Sequence, residues 1–469
     1  MKMLIDGEWC DAVSGEMIEI INPADLSKVD KVPSSGPEDI SIAVDAAEEA
    51  FPKWSAVPIR ERGRVLKRAA ENITAEVDRL TRILVQEQGK PFTEAKGEVM
   101  GFVNVLDYYA SICGSLHGKT LELEGIGKGL TFREPIGVCG AIIPWNMPIL
   151  IMAWKTAPAL ITGNTVVLKP SSETPLCNLN IASLFQKAGL PPGALNVVTG
   201  TGIKAGEPLA SHSKVRKISF TGASSTGKRV ASLAAPALKH ITLELGGSDP
   251  SIVCSDADLE RTAEGIVKAR FYNCGQACTS LKRLYVMEDV ADRLTELLLS
   301  KISSLKVGNG MEKDVDLGPL INRTQRSKML DLIKESSTEA NVLCGGDLPQ
   351  REGYFFNPAL VVDVPATSRL MREEVFGPIL PMTRVESVEE ALELATKTNY
   401  GLGASVWTND LGTARTCAHA FKSGMVWVNM HLRVPAEAPF GGVKESGLGR
   451  ENGTESIEAY TEWKTVILG

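Results

Sequence analysis

Three side chains in this sequence have the chemistry for covalent attack at a carbonyl carbon. Cys278 sits in Arg270-Phe271-Tyr272-Asn273-Cys274-Gly275-Gln276-Ala277-Cys278-Thr279, Glu244 upstream in Leu243-Glu244-Leu245-Gly246-Gly247, and Asn146 further back in Pro144-Trp145-Asn146. A thiolate is a nucleophile, a carboxylate activates water, and amide N–H groups hold a developing oxyanion. Gly275 and the small residues before Cys278 let the backbone turn tightly, so that sulfur and amide can face one bound molecule. A cysteine taken alone reads as a small buried hydrophobe; Glu244 and Asn146 make Cys278 the candidate nucleophile. Cys274 reads as structural, because its spacing to Cys278 matches no redox pair.

The chain of 469 residues can hold two or three domains with a large core, and 43% hydrophobic with 23% charged residues is ordinary for a globular enzyme. A net charge of −7 and the lack of any Lys/Arg-rich run exclude a nucleic-acid binder. Nine cysteines without disulfide or zinc spacing imply a reducing, cytoplasmic setting, and five scattered histidines argue against a metal site. No signal peptide opens the chain. The apolar run Gly137 to Trp154 has the length of a membrane span, but Pro144, Asn146 and Pro148 break it. It reads as a buried strand to about Ile143, a turn, and a buried helix from about Pro148, so no membrane partner is expected.

Residues 1 to 36 read as short strands and turns, and 37 to 117 as amphipathic helices with apolar residues three and four apart. The glycine-spaced segment 117–135 reads as a hairpin arm leaving its domain. From 136 to 246, β-branched strands alternate with helices, the pattern of a doubly wound parallel sheet. A second α/β unit follows and carries Cys278. The tail from Tyr460 to Leu468 suits one more strand. The expected organisation is a cofactor-binding domain at 1–116 and 136–246, a catalytic domain at 247–445, and an arm and tail at 117–135 and 446–469.

Phosphate is expected where the strand ending at Phe220 opens into Thr221-Gly222-Ala223-Ser224-Ser225-Thr226-Gly227, since helix N-termini present free N–H groups. Gly200 to Gly206 departs from the dinucleotide fingerprint and reads as a plain strand-to-helix turn. Lys169, at the end of another strand, is placed for a ribose or phosphate contact.

Together these pieces resemble the aldehyde dehydrogenase superfamily over nearly the whole chain. The matching motifs stand in the family's order: Pro144-Trp145-Asn146, Lys169-Pro170, Phe220-Thr221-Gly222 with Gly227, the Glu244 motif, Gly275-Gln276-Ala277-Cys278, Glu373-Glu374-Val375-Phe376-Gly377-Pro378, and Pro439-Phe440-Gly441-Gly442 through Ser446-Gly447. The resemblance implies a Rossmann-type cofactor domain, a second α/β catalytic domain and a small β oligomerisation arm. It implies NAD(P)-dependent oxidation of an aldehyde to a carboxylic acid. Cys278 would form a thiohemiacetal, Asn146 and the Cys278 amide would hold its oxygen, and a movable Glu244 would activate water against the thioester. Lys155 fits a proton relay or a structural ion pair. Trp145, Lys169, Ser172, Gly222, Ser225, Gly227, Leu245, Glu374 and Phe376 would line the cofactor, Glu374 at the nicotinamide ribose and Phe376 beside the nicotinamide. The arm and the tail would pair across subunits in a homodimer or homotetramer.

Two departures bear on the cofactor. Relatives that prefer NAD often carry Glu where this chain has Ser172; a carboxylate about 4 Å from a 2′-phosphate would cost roughly 4 kcal/mol at an effective dielectric near 20. Ser172 therefore admits NADP, with NAD use possible, and Glu173 is the one neighbour that could restore the acid. Ala223 replaces a serine that touches the pyrophosphate in many relatives, leaving Ser224, Ser225 or backbone amides to substitute.

Two other positions bear on the substrate. Relatives acting on succinate semialdehyde usually carry arginines where this chain has Trp154 and Tyr272. With Met147, Leu150 and Ile151 these aromatics suggest a tunnel for a small or medium neutral or hydroxylated aldehyde, with Thr279 and Phe440 beside it. Arg433 at the mouth either greets an anionic substrate or is simply solvated. A semialdehyde dehydrogenase is the alternative enzyme, and a non-catalytic scaffold the alternative from another class. An acyl-transferring relative is disfavoured by Glu244.

Overall fold

The computed structural model describes residues 1–469, apart from the side chain of Ser115. Its organising element is an eight-stranded sheet. Five parallel strands, Val138–Ile142, Thr165–Lys169, Leu195–Val197, Lys217–Thr221 and His240–Glu244, lie in the spatial order 3-2-1-4-5 of their sequence. The order reverses at Val138–Ile142, and open α/β sheets bind ligands outside the carboxyl ends of strands at such a reversal. The loops leaving Ile142 and Thr221 there are those of Asn146 and of Gly222 to Ser225. Met3–Ile5 and Glu8–Cys10 extend one edge antiparallel.

The run expected to break does so. Val138–Ile142 is wholly buried, a turn follows, and Pro148–Ile161 is a buried helix whose first position tolerates proline because no intrahelical N–H is needed there. The helices Ile59–Ala75, Phe92–Ser111 and Leu176–Lys187 pack with it over one face of the sheet. Pro37–Ser55 and Ser224–Ala234 cover the other face.

A second sheet of seven strands holds the order Asn341–Cys344, Ala359–Val362, Ile379–Val385, Leu281–Met287, Asp249–Val253, Gly403–Trp407, Met425–Val428, parallel except for the first pair. Cys278 lies in the loop between helix Leu259–Phe271 and strand Leu281–Met287. The two sheets share a short link: Gly447–Leu448 pairs antiparallel with Leu243 and Glu244. This corrects the assignment of residues from 446 onward to the tail, since these two residues edge the first sheet.

Thr120–Leu123, Gly127–Pro135 and Thr461–Leu468 form a three-stranded antiparallel sheet apart from both. Arm and tail therefore pair with each other inside the chain. The tail strand keeps its outer edge open. No helix among the described residues is long and apolar enough to cross a membrane.

Candidate active site

The cysteine loop is built on an uncommon backbone. Asn273, Cys274 and Gly275 all adopt left-handed φ, at 50°, 56° and 70°. Two of the three bear side chains that disfavour this region, so surrounding contacts must hold it. Asn273 does much of that work. Its N–H donates to Glu94 Oε2 at 2.9 Å, its Oδ1 accepts from Gln88 at 3.0 Å, and its Nδ2 donates to the Asn146 carbonyl at 2.8 Å. A Cβ on Gly275 would lie 2.5 Å from the Gly377 carbonyl, so only glycine fits.

Lys90 secures the Asn146 loop from the other side. Its buried ammonium donates to the Asn146 carbonyl at 2.9 Å and pairs with Glu98 Oε2 at 2.5 Å. Glu98 Oε1 accepts the N–H groups of Ile149 and Leu150, capping the first turn of Pro148–Ile161, where a negative charge also meets the helix dipole favourably. Asn146 Nδ2 donates one hydrogen to the Gln276 carbonyl at 3.0 Å. A carboxamide nitrogen carries two, and the second is available to an oxygen in the cavity that Asn146 lines with Cys278.

Two cavities meet at Cys278. One, of about 160 Å³, is walled by Trp145, Gly222, Leu245, Glu374 and Phe376 with Asn146 and Glu244. Trp145 and Phe376 stand edge to face at 5.5 Å, and a Cβ on Gly246 would lie 2.4 Å from Glu374 Oε2. The other, of about 590 Å³, is walled by Met147, Leu150, Ile151, Trp154, Tyr272 and Thr279 near the thiol, with Arg433 further out. Its outer wall also carries Arg261, Glu264 and Lys268. The sequence reading missed all three, which share the helix before the cysteine loop at three- and four-residue spacing. Phe440 does not line this cavity: it is buried behind Trp154, ring centroids 5.0 Å apart.

The remaining expected residues are placed as follows. Lys169 is buried, and its ammonium donates to the Pro170 and Gly200 carbonyls at 2.7 and 3.2 Å. Burial lowers its pKa to about 8. Ser172 is half-buried beyond it, while Glu173 accepts from Asn322 Nδ2 at 3.2 Å. Ser224 donates to the Glu445 carbonyl at 3.2 Å, which leaves exposed Ser225 at the head of the helix. Gly227 packs on Leu245, where a Cβ would lie 2.4 Å from Cδ2. Lys169, Ser172, Ser225 and Gly227 lie outside the wall of the smaller cavity.

The carboxyl of Glu244 is buried without a hydrogen-bond partner among the described residues, and burial with the nearby Glu451 raises its pKa well above the usual range. Beside it Lys155 donates to Glu451 Oε1 at 2.5 Å and to Ser219 Oγ at 2.9 Å. Glu451 was missed because it sits far along the chain, and only its pairing with Phe440 brings it under Glu244. Burial pushes the Cys278 thiol up to about 12, with Asp249, Glu374 and Glu244 adding to the rise and Lys282 opposing it. At neutral pH the thiol is therefore protonated until a base or a positive charge reaches it.

His431 closes the cavity wall. Its Nε2 lies 2.9 Å from the Thr279 carbonyl, which can only accept, so Nε2 carries the proton and Nδ1 accepts from Ser405 Oγ at 2.9 Å. Ser405 then accepts from Ser251, and Ser251 from Trp407 Nε1, each at 2.9 Å, giving one directed chain. Burial holds this imidazole near a pKa of about 4, so it stays neutral.

The family model described as the aldehyde dehydrogenase family matches residues 9–466. The NADP(+) succinate-semialdehyde dehydrogenase GabD of Escherichia coli (strain K12) is 39% identical over 470 residues, spanning 100% of this chain and 98% of that protein. Human mitochondrial aldehyde dehydrogenase is 40% identical over 474 residues, 100% and 92% of the two chains. Among solved structures, the NAD+ complex of an aldehyde dehydrogenase from Bacillus cereus superposes with a TM-score of 0.98 at 37% identity, covering 100% of this chain and 96% of that one.

Glu94, which holds the Asn273 amide, has its pKa raised to about 8 by burial. Between the ordinary carboxyl pKa and 8 the folded protein keeps a proton that the unfolded chain releases, so this group's contribution to stability falls as pH rises through that window. Glu94→Gln keeps the acceptor and removes the titration. Its urea midpoint should match wild type near pH 5 and exceed it at pH 8; equal midpoints at both values would contradict this account of the loop.

Proposed function

Because this chain belongs to the aldehyde dehydrogenase family, whose members are NAD(P)-dependent oxidoreductases, we propose that Cys278, Glu244 and Asn146 carry its aldehyde oxidation. The observation behind this reading is the junction of two cavities at one thiol, with an unpartnered carboxyl on one side and an amide donor beside it. Cys278 attacks the aldehyde carbon arriving through the larger cavity. The second Asn146 hydrogen and the Cys278 N–H receive the oxygen. NAD(P), when bound in the smaller cavity, would supply the hydride acceptor. The walls of the smaller cavity would seat a flat ring against Trp145 and Phe376, with a ribose at Glu374. Glu244 then removes a proton from water, whose oxygen adds to the thioester carbon and displaces the Cys278 sulfur to release the carboxylic acid; the adjoining Lys155, Ser219 and Glu451 give that proton, and the one shed by the thiol, a path.

NADP is the favoured cofactor. Glu173, the one acid that could replace the missing Glu at Ser172, is turned to Asn322. Lys169 is a cation at the same strand end, protonated below about pH 8. The preferred substrate is a small or medium neutral or hydroxylated aldehyde, since the inner wall is apolar and aromatic. One observation favours the second reading, a carboxylated aldehyde: Arg261, Lys268 and Arg433 outnumber Glu264 on the outer wall.

The subunits form a homodimer or homotetramer. Phe132, Trp463, Val466, Ile467 and Leu468 are exposed on the arm sheet, whose tail edge is unpaired; an exposed edge bearing apolar residues is a template for another strand. All nine cysteines are unpaired, which suits a reducing compartment and supports a cytoplasmic location.

Asn146→Ala should lower kcat by about 10²- to 10³-fold, as for other oxyanion donors. Glu244→Gln should retain a stoichiometric burst of reduced nicotinamide and lose the steady-state rate. Loss of the burst itself would remove Glu244 from the hydrolytic step. With neutral, hydroxylated and carboxylated aldehydes run against both cofactors, neutral substrates with NADP should give the highest kcat/KM, and Ser172→Glu should raise KM for NADP far more than for NAD. A preference for carboxylated aldehydes abolished by Arg433→Ala would install the second reading. Light scattering should give a dimer or tetramer, and Trp463→Glu with Ile467→Glu should reduce it to monomer.

A further inference from the structure

Lys282 follows Cys278 by four residues, and its side chain is fully buried. Burying an ammonium is costly unless partners offset it, and an apolar side chain of similar volume would avoid that cost. Its partners all belong to the site. Nζ donates to the Cys278 carbonyl at 2.5 Å, lies 3.5 Å from Glu374 Oε1, and stands 5.8 Å from the centroid of the Phe376 ring. Glu374 is itself held by the Gly247 amide at 3.1 Å. One ammonium thus touches the backbone of the nucleophile and the carboxylate assigned to the cofactor ribose.

Asp249 is its buried counterpart. The residue sits opposite Leu281 in the parallel pair of strands, at a bulge before Pro250. Neither carboxyl oxygen has a hydrogen-bond partner among the described residues, and His431 Nε2, already used on Thr279, is 3.9 Å away. The carboxyl is packed between backbones: a Cβ on Gly403 would lie 2.2 Å from Oδ2, and one on Gly247 2.8 Å from Oδ1. A buried acid left this way acts on its surroundings through charge, not through a bond.

We propose that Lys282 and Asp249 are an opposed pair of positioning residues that set how readily Cys278 attacks, Lys282 fixing its carbonyl and bringing a positive charge to it, and Asp249, whose Oδ1 and the Cys278 carbonyl oxygen both lie within 2.9 Å of a Cβ built on Gly247, bringing a negative one. This role presupposes Cys278 as the nucleophile. The charged groups facing the thiol come from four elements: Glu244 from the first sheet, Asp249 and Lys282 from adjacent strands of the second, and Glu374 from the loop after Arg369–Arg372. His431, from the loop after Met425–Val428, is neutral. Burial raises the Asp249 pKa to about 7, so its opposition grows as pH rises past neutrality.

The test is the rate at which iodoacetamide alkylates Cys278 in the full-length enzyme without cofactor, followed by mass spectrometry of the Cys278 peptide from about pH 6 to 10. Lys282→Met should move the profile to higher pH by a unit or so, an approximately tenfold slower reaction at neutral pH, and kcat/KM should move with it. Lys282→Arg should restore much of the profile, and Asp249→Asn should move it to lower pH. A merely structural role would lower thermal stability without opposite signs in the two variants, and Lys282→Arg would not restore the rate. Should Lys282→Met fail to fold, Lys282→Arg and Asp249→Asn still decide the matter. Profiles that superimpose on wild type overturn the pair. Cys278→Ser separates the two levels: an inactive serine variant with unmoved profiles rejects the pair alone, whereas a serine variant that keeps turnover rejects the nucleophile and the pair with it.

Discussion

The Asn146 main-chain carbonyl is where the site is held together. It receives the Lys90 ammonium from the helical layer and the Asn273 amide from the second sheet's loop, while the same residue's side chain reaches back to Gln276. Three separate stretches of chain are fixed by one peptide unit, so nucleophile and oxyanion donor cannot drift independently. Lys90 can serve only because Glu98 neutralises it, and removing one partner of such a buried pair costs about 3–5 kcal/mol. Glu98 spends its other oxygen on the helix that begins at Pro148. The strained left-handed turn at Asn273 and Cys274 follows from this arrangement, since strain persists only where surroundings over-determine the backbone.

Electrostatics explain why such rigidity is compatible with a resting, unreactive thiol. Cys278 is surrounded by acids in a poorly solvated setting, and both effects favour the neutral thiol. Glu244 is likewise driven toward its neutral form.

What the sequence made legible was local, and what it hid was long-range. The break in the apolar run at Pro144 and Pro148 and the strand-helix alternation follow from residue periodicity and proline chemistry. The Ile379–Val385 strand escaped notice because Pro381 argues against a central strand, yet that strand lies inside the second sheet. Glu451, Glu98 and Asp249 escaped for another reason: each acts through a partner distant in the chain, and no spacing rule announces it. Phe440 was assigned to the substrate wall from its motif, and packing places it one layer behind Trp154. The place of Lys169 at a strand end was readable, but the folding of its ammonium onto two carbonyls was not.

The C-terminal segment shows why local pattern alone could not specify the centre. Residues 439–453 return from the second sheet to the first, placing Gly447 against Glu244, Glu451 against Lys155, and the Gly453 carbonyl against Tyr109 at 3.2 Å. Gly441 passes so near that a Cβ would lie 2.6 Å from Glu244 Oε1. The space around the Glu244 carboxyl is therefore bounded by a glycine of this returning segment, and the acid that pairs with Lys155 belongs to the same segment. The surroundings of Glu244, the Lys155–Glu451 ion pair and the sheet-to-sheet contact are consequences of one chain crossing, so a substitution in that crossing acts on the site and on packing together.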